Sequence, residues 1–414
     1  MSVMSDDQNT ADSIVKSRKK FKRNKILSII KNNENLSRFD LKKITNYSMT
    51  TILGLIDELI EEKFLCEKES DDTRVGRKPL WLKINPDAGY FIGIEFNSFK
   101  LDCVLMNFDE QIVFSDKVEF PKNICAEQVL ESIFTVLNKI KTRFEHNKIF
   151  AIGIGVPGYY NSHTGEVVEY AYIQDWKHIP LKNLIEERYN IKCYIKSNVS
   201  VMAVGYKRKY SVAHPDLQDF LFVSIRNGIR VIPVINNEIF LSNEGYAGQL
   251  GHLKIPNSNR LCSCGKHGCL NSEISDVGIK VKLIEAVSLG KMRGLFDRVE
   301  NDYNRLTVEN LVLAIQEGDG ESIEFMKSLA ECLGSALGVV VDILAPAYIV
   351  LYGSLAQAGD VFIETVYNAL CENSIAENSK QLKILAPQLD ENMGAYGAAW
   401  LAFEKEFPYI KEQV

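Results

Sequence analysis

Four residues between positions 252 and 269 carry the most concentrated chemistry in the chain. His252 is followed after nine residues by Cys262-x-Cys264, and after four more by Cys269. Three thiolates and an imidazole this close together predict a closed tetrahedral zinc site, structural because all four positions are filled by protein. Gly265 and Gly268, with Lys266 between them, let the backbone turn sharply enough to serve one ion. The alternative is a set of surface thiols or a disulfide pair. The other six cysteines, Cys66, Cys103, Cys125, Cys193, Cys332 and Cys371, are scattered, mostly among apolar residues, as reduced buried thiols are.

A second chemistry lies near the N-terminus. The net charge of the whole chain is −6, yet residues 14–84 hold 17 Lys and Arg against 10 Asp and Glu, a net of +7 that leaves −13 on the remainder. A basic head on an acidic body suits a polyanion. Ile14 to Asn32 reads as a helix with a basic face, with Ile26, Leu27, Ile29 and Ile30 behind it. Ser37 precedes a short helix carrying Phe39, Leu41 and Ile44, Thr45-Asn46-Tyr47 makes a turn, and Ser48 caps a third helix with Ile52, Leu55, Ile56, Leu59 and Ile60 on its apolar face. That is the pattern of a helix-turn-helix, with Ser48, Met49, Thr50 and Thr51 presented to the major groove of double-stranded DNA. Leu65 to Glu69 and Leu80 to Ile84 read as a two-stranded wing. Gly76-Arg77-Lys78-Pro79 projects its charges toward phosphates or a narrow minor groove, and Arg38 and Arg74 complete the expected DNA-binding set. The competing reading is a solvated basic loop on a protein-interaction domain.

A chain of 414 residues, 46% apolar and 25% charged, is soluble-globular in composition and long enough for two or three domains. No apolar leader opens it, so a cytoplasmic location is expected, and Asp342 and Pro346 break the longest apolar run, Leu333 to Leu351, into a buried helix and the strand Tyr348 to Tyr352. From Tyr90 the pattern changes to strands: Tyr90 to Phe96, Leu101 to Asn107, Ile112 to Val118 and, after the helix Ala126 to Phe144, Phe150 to Val156. The last ends in Gly153-x-Gly155-x-Pro157-Gly158, which fits a dinucleotide fingerprint only superficially. A phosphate turn of that kind must open a helix, whereas Pro157-Gly158 leads into Tyr159-Tyr160-Asn161 and a hairpin-like turn.

Gly153-x-Gly155-x-Pro157-Gly158, Gly248-x-x-Gly251-His252, the Cys262-x-Cys264-Gly265-x-x-Gly268-Cys269 knuckle and Gly394-Ala-Tyr-Gly397 together resemble the ROK family of repressors, open reading frames and kinases, from about residue 18 to 405. The resemblance implies a multidomain chain: a winged helix-turn-helix followed by an α/β two-lobed actin- or hexokinase-like body. The expected divisions are a disordered 1–13, a DNA-binding domain 14–84, a first lobe 85–200 plus 388–414, and a second lobe 201–387 bearing the knuckle.

Measured against a kinase of this family, the chain lacks its phosphate chemistry. The turn after the first strand is Glu95-Phe-Asn97-Ser-Phe99-Lys100, without glycine, and the second is Arg226-Asn-Gly228-Ile-Arg230. The family's Asn-Asp pair aligns with Ser197-Asn198, and an amide is no general base. No catalytic residue is therefore expected. The sugar-contacting positions become Ser197, Asn198, Gln249, His252 and Asn271, a neutral, amide-lined site for a sugar or sugar phosphate, the alternative being a cleft that binds nothing and holds a dimer together. One or two of Tyr159, Tyr160, Tyr170, Tyr172, Trp176 and Tyr246 would line it, and Arg226 and Arg230 would plug the vacated nucleotide site or bind a phosphorylated effector. The expectation is a homodimeric, or dimer-of-dimers, repressor of carbohydrate metabolism. The rivals are an ATP-dependent sugar kinase and a zinc-stapled interaction module.

Overall fold

The first helix, α1, spans Met4–Lys31. Residues 4–13 carry no proline or glycine that would stop this helix. The structure, a computed structural model, describes residues 4–69, 80–210, 217–240, 246–256 and 258–408, with side chains from residue 17 on. Ser37 starts α2 (Arg38–Thr45): its Oγ accepts from the Asp40 amide at 3.3 Å while the Asp40 carboxylate accepts from the Ser37 amide at 3.0 Å. Asn46, left-handed at φ 57°, ends α2, and Ser48 Oγ caps α3 (Met49–Glu61) by accepting from the Thr51 amide at 3.1 Å. Leu41 and Thr45 alone turn α2 inward; Phe39 and Ile44, expected on its apolar face, are 55% and 48% exposed because an eight-residue helix offers one narrow seam. The wing forms as expected: β1 (Leu65–Glu69) and β2 (Leu80–Ile84) pair antiparallel from Leu65↔Ile84 to Glu69↔Leu80, and Leu36 bridges Leu82 on the other side. Its tip, with Arg74, Arg77 and Lys78, lies outside the described residues.

The chain divides into two compact units, 1–158 with 164–205 and 392–414, and 159–163 with 206–391. The head lies in one unit with the first sheet, and the body divides at 205/206 and 391/392. That first sheet has β3 (Tyr90–Phe96) at its centre, antiparallel to β4 (Lys100–Asn107), which pairs with β5 (Ile112–Glu119). After α4 (Ala126–Arg143), β6 (Ile149–Val156) lies parallel to β3 and to the outer strand Lys192–Ser197. The C-terminal helix Met393–Glu406 lies across the sheet so closely that a Cβ on Gly153 would stand 1.8 Å from the Ala398 carbonyl oxygen. The glycine run of β6 therefore serves helix-on-sheet packing.

A single apolar cluster runs from Ile26, Ile30, Ile56 and Phe64 of the head into Phe91, Val104, Phe108 and Phe403 of the body. Phe64 lies 5.2 Å, ring centre to ring centre, from Phe108 and 5.9 Å from Phe407. Beside these rings the Lys31 ammonium pairs with Glu110 at 2.6 Å, both side chains about nine-tenths buried.

The second unit carries a sheet in the order Glu238–Ile239, Ile229–Ile235, Phe220–Ile225, Tyr348–Tyr352, Lys383–Leu385. The helix Gly320–Leu344 stops before Pro346 as expected and packs on the helix Asp360–Glu372. Among the described residues no helix is long and apolar enough to cross a membrane.

Candidate functional site

His252, Cys262, Cys264 and Cys269 come together, every ligand atom within 4.8 Å of the others. Cys264 and Cys269 have their sulfurs 3.8 Å apart, and the Cys262 sulfur lies 3.8 Å from His252 Nδ1. A disulfide needs a separation near 2.0 Å. The edge of a tetrahedron built on metal–sulfur bonds of roughly 2.3 Å is about 3.8 Å, so the four fit one ion. The backbone explains the convergence: Gly265 and Gly268 adopt φ of 80° and 74°, the Cys262 amide donates to the Lys266 carbonyl at 2.9 Å, and Lys254 bridges Cys269. Burial, with Lys266 nearby, holds the His252 imidazole below its ordinary value and so neutral. Burial followed by the Cys264 thiol pushes Cys269 up to about 12. At Cys264 burial opposes ionisation, but the Lys266 amide and the neighbouring thiols bring the value below that of an ordinary thiol. A cation relieves the cost of ionising a buried thiol such as Cys269 beside its neighbours.

In the two turns that would cradle phosphate, backbone groups are already bonded within the fold. In the β3–β4 turn the buried Asn97 accepts from the Phe99 amide at 2.7 Å and the Lys100 amide at 3.0 Å. Those N–H groups are committed. In the second unit the Arg226 amide donates to the Gly228 carbonyl at 3.2 Å and the Asp276 amide to the Arg226 carbonyl at 2.9 Å. Asn271 Oδ1 accepts from the Ile229 amide at 2.7 Å. Arg230 donates from Nε and Nη2 to the Ala247 carbonyl at 3.2 and 3.1 Å.

Beside that turn burial, then Glu309, pushes the Asp276 carboxyl from 3.8 to about 7, against the pull of Arg226. A folded-state value above the unfolded one means that its stability contribution is complete below about pH 4 and is lost as pH rises through 7. Asp276→Asn is therefore expected to raise the thermal midpoint at pH 8, by the equivalent of about 1–3 kcal/mol, and to leave it nearly unchanged at pH 4. Equal shifts at both pH values in calorimetry would contradict it.

Of the five effector positions, Ser197 drops out as an accessible contact. It is fully buried, its Oγ 2.7 Å from Ser200 Oγ and accepting from the Ser200 amide at 3.1 Å, so it caps the helix Asn198–Tyr210. Asn198, Gln249, His252 and Asn271 are half-buried. Asn271 has spent its carbonyl oxygen on Ile229 and keeps its amide N–H₂ for donation. Trp176 and Tyr160 are core residues, Trp176 meeting Phe96 edge to face at 5.4 Å, whereas Tyr159 and the exposed Tyr246 pair at 5.3 Å. The cavity of about 300 Å³ beside Ile363, Tyr367 and Ile384 holds none of the five.

On the head, Thr50 is exposed and Met49 half-buried at the start of α3, while the hydroxyls of Ser48 and Thr51 lie 2.8 Å apart within the cap. Arg38 bonds Asp57 at 2.6 Å and Glu67 at 2.8 Å, tying α2 to α3 and β1. Nothing in the sequence marked those two acids as its partners. The Lys31–Glu110 pair and the Asn97 cap were equally unmarked.

Residues 91–405 match the ROK family. A putative xylose repressor from Caldicellulosiruptor sp. (strain Rt8B.4) is 28% identical over 380 residues, covering 90% of this chain and 92% of its own. Among solved structures, a ROK family transcriptional regulator homologous to the Escherichia coli MLC protein superposes with a TM-score of 0.79 at 20% identity over 95% of this chain and 97% of its own. A ROK family glucokinase from Streptomyces griseus gives 0.66 at 22% identity, spanning 76% of this chain and all of its own.

Proposed function

Because the chain belongs to the ROK family, we propose that it is a sugar-responsive, DNA-binding transcriptional repressor of carbohydrate metabolism, acting in the cytoplasm as a homodimer. The observation that carries this reading is the helix-turn-helix with its paired wing strands, each of its two short helices capped by its own serine, with Thr50 exposed where the last helix begins. One such module makes few base contacts, and two-fold pairing on a palindrome multiplies them. The body supports a receptor rather than a phosphotransferase, since Asn97 occupies the amides of one phosphate turn and the other is bonded internally.

Asn198, Gln249, His252 and Asn271 are the effector positions. Amides and a neutral imidazole pair with hydroxyls in either sense, which fits an uncharged sugar. Zinc fits the His/Cys₃ set best: three soft thiolates and a borderline nitrogen at tetrahedral spacing. It would be held by His252, Cys262, Cys264 and Cys269 and would brace the backbone on which His252 sits.

Selection of bound duplexes from a random pool, followed by fluorescence anisotropy, tests the reading. Thr50→Ala is expected to change base preference, losing about 1–3 kcal/mol of discrimination at one position, with binding to random duplex little altered. D-xylose and N-acetylglucosamine are suitable first probes in thermal shift and in the DNA assay. ADP release above background with any sugar of a panel would favour the kinase instead.

A further inference from the structure

The basic face of α1 sorts its charges. Lys19 pairs with Glu58 at 2.7 Å and Arg23 with Glu62 at 2.5 Å, both carboxylates on α3, so these two cations are neutralised within the fold. Lys22 and Lys25, one helical turn apart, point elsewhere. Their ammonium groups lie 5.3 and 6.0 Å from the centre of the Tyr47 ring, the residue immediately before the Ser48 cap of the reading helix. Neither is in an ion pair with a carboxylate of the described residues. Two like charges brought over one ring repel each other, and a half-buried tyrosine face offsets only part of that cost. An anion at this point removes the repulsion.

From this we infer that Lys22, Lys25 and Tyr47 form a backbone-phosphate subsite that seats the head on DNA beside the groove read by α3. The inference rests on the regulator reading above. Two features select a phosphate over a base edge. Ammonium groups act as point charges without the planar fork that recognises guanine, and the subsite lies on α1 and the turn, outside the helix that carries Thr50. The tyrosine hydroxyl supplies a neutral donor to the same phosphate.

The test is the salt dependence of DNA binding by the full-length protein, measured by anisotropy on a selected duplex and on a random one. In K22A/K25A the slope of log affinity against log salt is expected to become shallower by about one, because the single lost phosphate contact removes roughly 0.9. The loss should be equal on both duplexes, and the thermal midpoint should stay at that of the parent protein. K22R/K25R, which keeps both charges, should restore the slope. A double alanine variant that binds with the parental slope would overturn the subsite and leave the regulator reading standing. A parent protein without salt-dependent affinity for any duplex would overturn both.

Discussion

Cys269→Ser is expected to abolish the zinc binding proposed for this cluster and to lower the thermal midpoint more than Cys264→Ser does. Both changes remove a ligand, but the two cysteines stand differently in the fold. Cys264 is exposed at the tip of the turn, whereas Cys269 is fully buried and is followed by Leu270, itself in the core of the second unit. Loss of the metal at Cys269 therefore frees backbone that anchors Leu253 and Ile255, whose partners are the Leu270 amide at 2.9 Å and the Gly268 carbonyl at 2.8 Å. Structural zinc contributes about 10–16 kcal/mol in small isolated fingers. Here the large apolar core of the second unit holds without it, so the loss should be local: the unit stays folded while the segment 254–270 becomes sensitive to protease. Elemental analysis by plasma mass spectrometry, with limited proteolysis, decides the matter. Stoichiometric zinc retained by Cys269→Ser would show that the four residues are not the ligand set.

That site was legible because spacing alone brings its members together: glycines within the knuckle set the turn, and soft ligands imply the ion. The strands Tyr90–Phe96 and Tyr348–Tyr352 and the wing were legible for a similar reason, since runs of apolar or alternating residues bounded by polar turns fix local structure. What the sequence did not show were partners: Arg38 meets Asp57 and Glu67 from α3 and β1, far along the chain, and Ser197 is buried as the cap of the helix Asn198–Tyr210. Gly153 and its neighbours carry a pattern with two physical uses, phosphate approach and helix approach, and only the C-terminal helix lying on the sheet tells which applies. Asn271 shows the intermediate case, an amide whose oxygen is spent on the fold while its nitrogen keeps the expected capacity.

The seam between head and body was invisible for the same reason, and it supplies the other large effect. Phe108 is a lone aromatic residue in the β4–β5 turn, yet it is fully buried and its ring stands 5.2 Å from Phe64, 5.4 Å from Phe403 and 4.9 Å from Phe407. The same turn holds Glu110 at φ 66°, a conformation costing a non-glycine residue roughly 1–2 kcal/mol. The buried pair with Lys31, whose ammonium also donates to the Phe108 carbonyl at 3.2 Å, offsets that cost. Phe108→Ala should therefore lower stability by about 3–5 kcal/mol, the range for a truncated core phenylalanine. Because the cavity opens where the head docks, calorimetry should resolve a separate, earlier transition for the head. Glu110→Gln should act in the same direction, since it leaves the Lys31 charge buried without its carboxylate. In DNA binding the two variants should lose affinity for paired half-sites while keeping it for a single one, because a loosened head retains α3 but loses its fixed orientation. A single transition at the parental temperature in Phe108→Ala would mean that the head is held by something other than this seam.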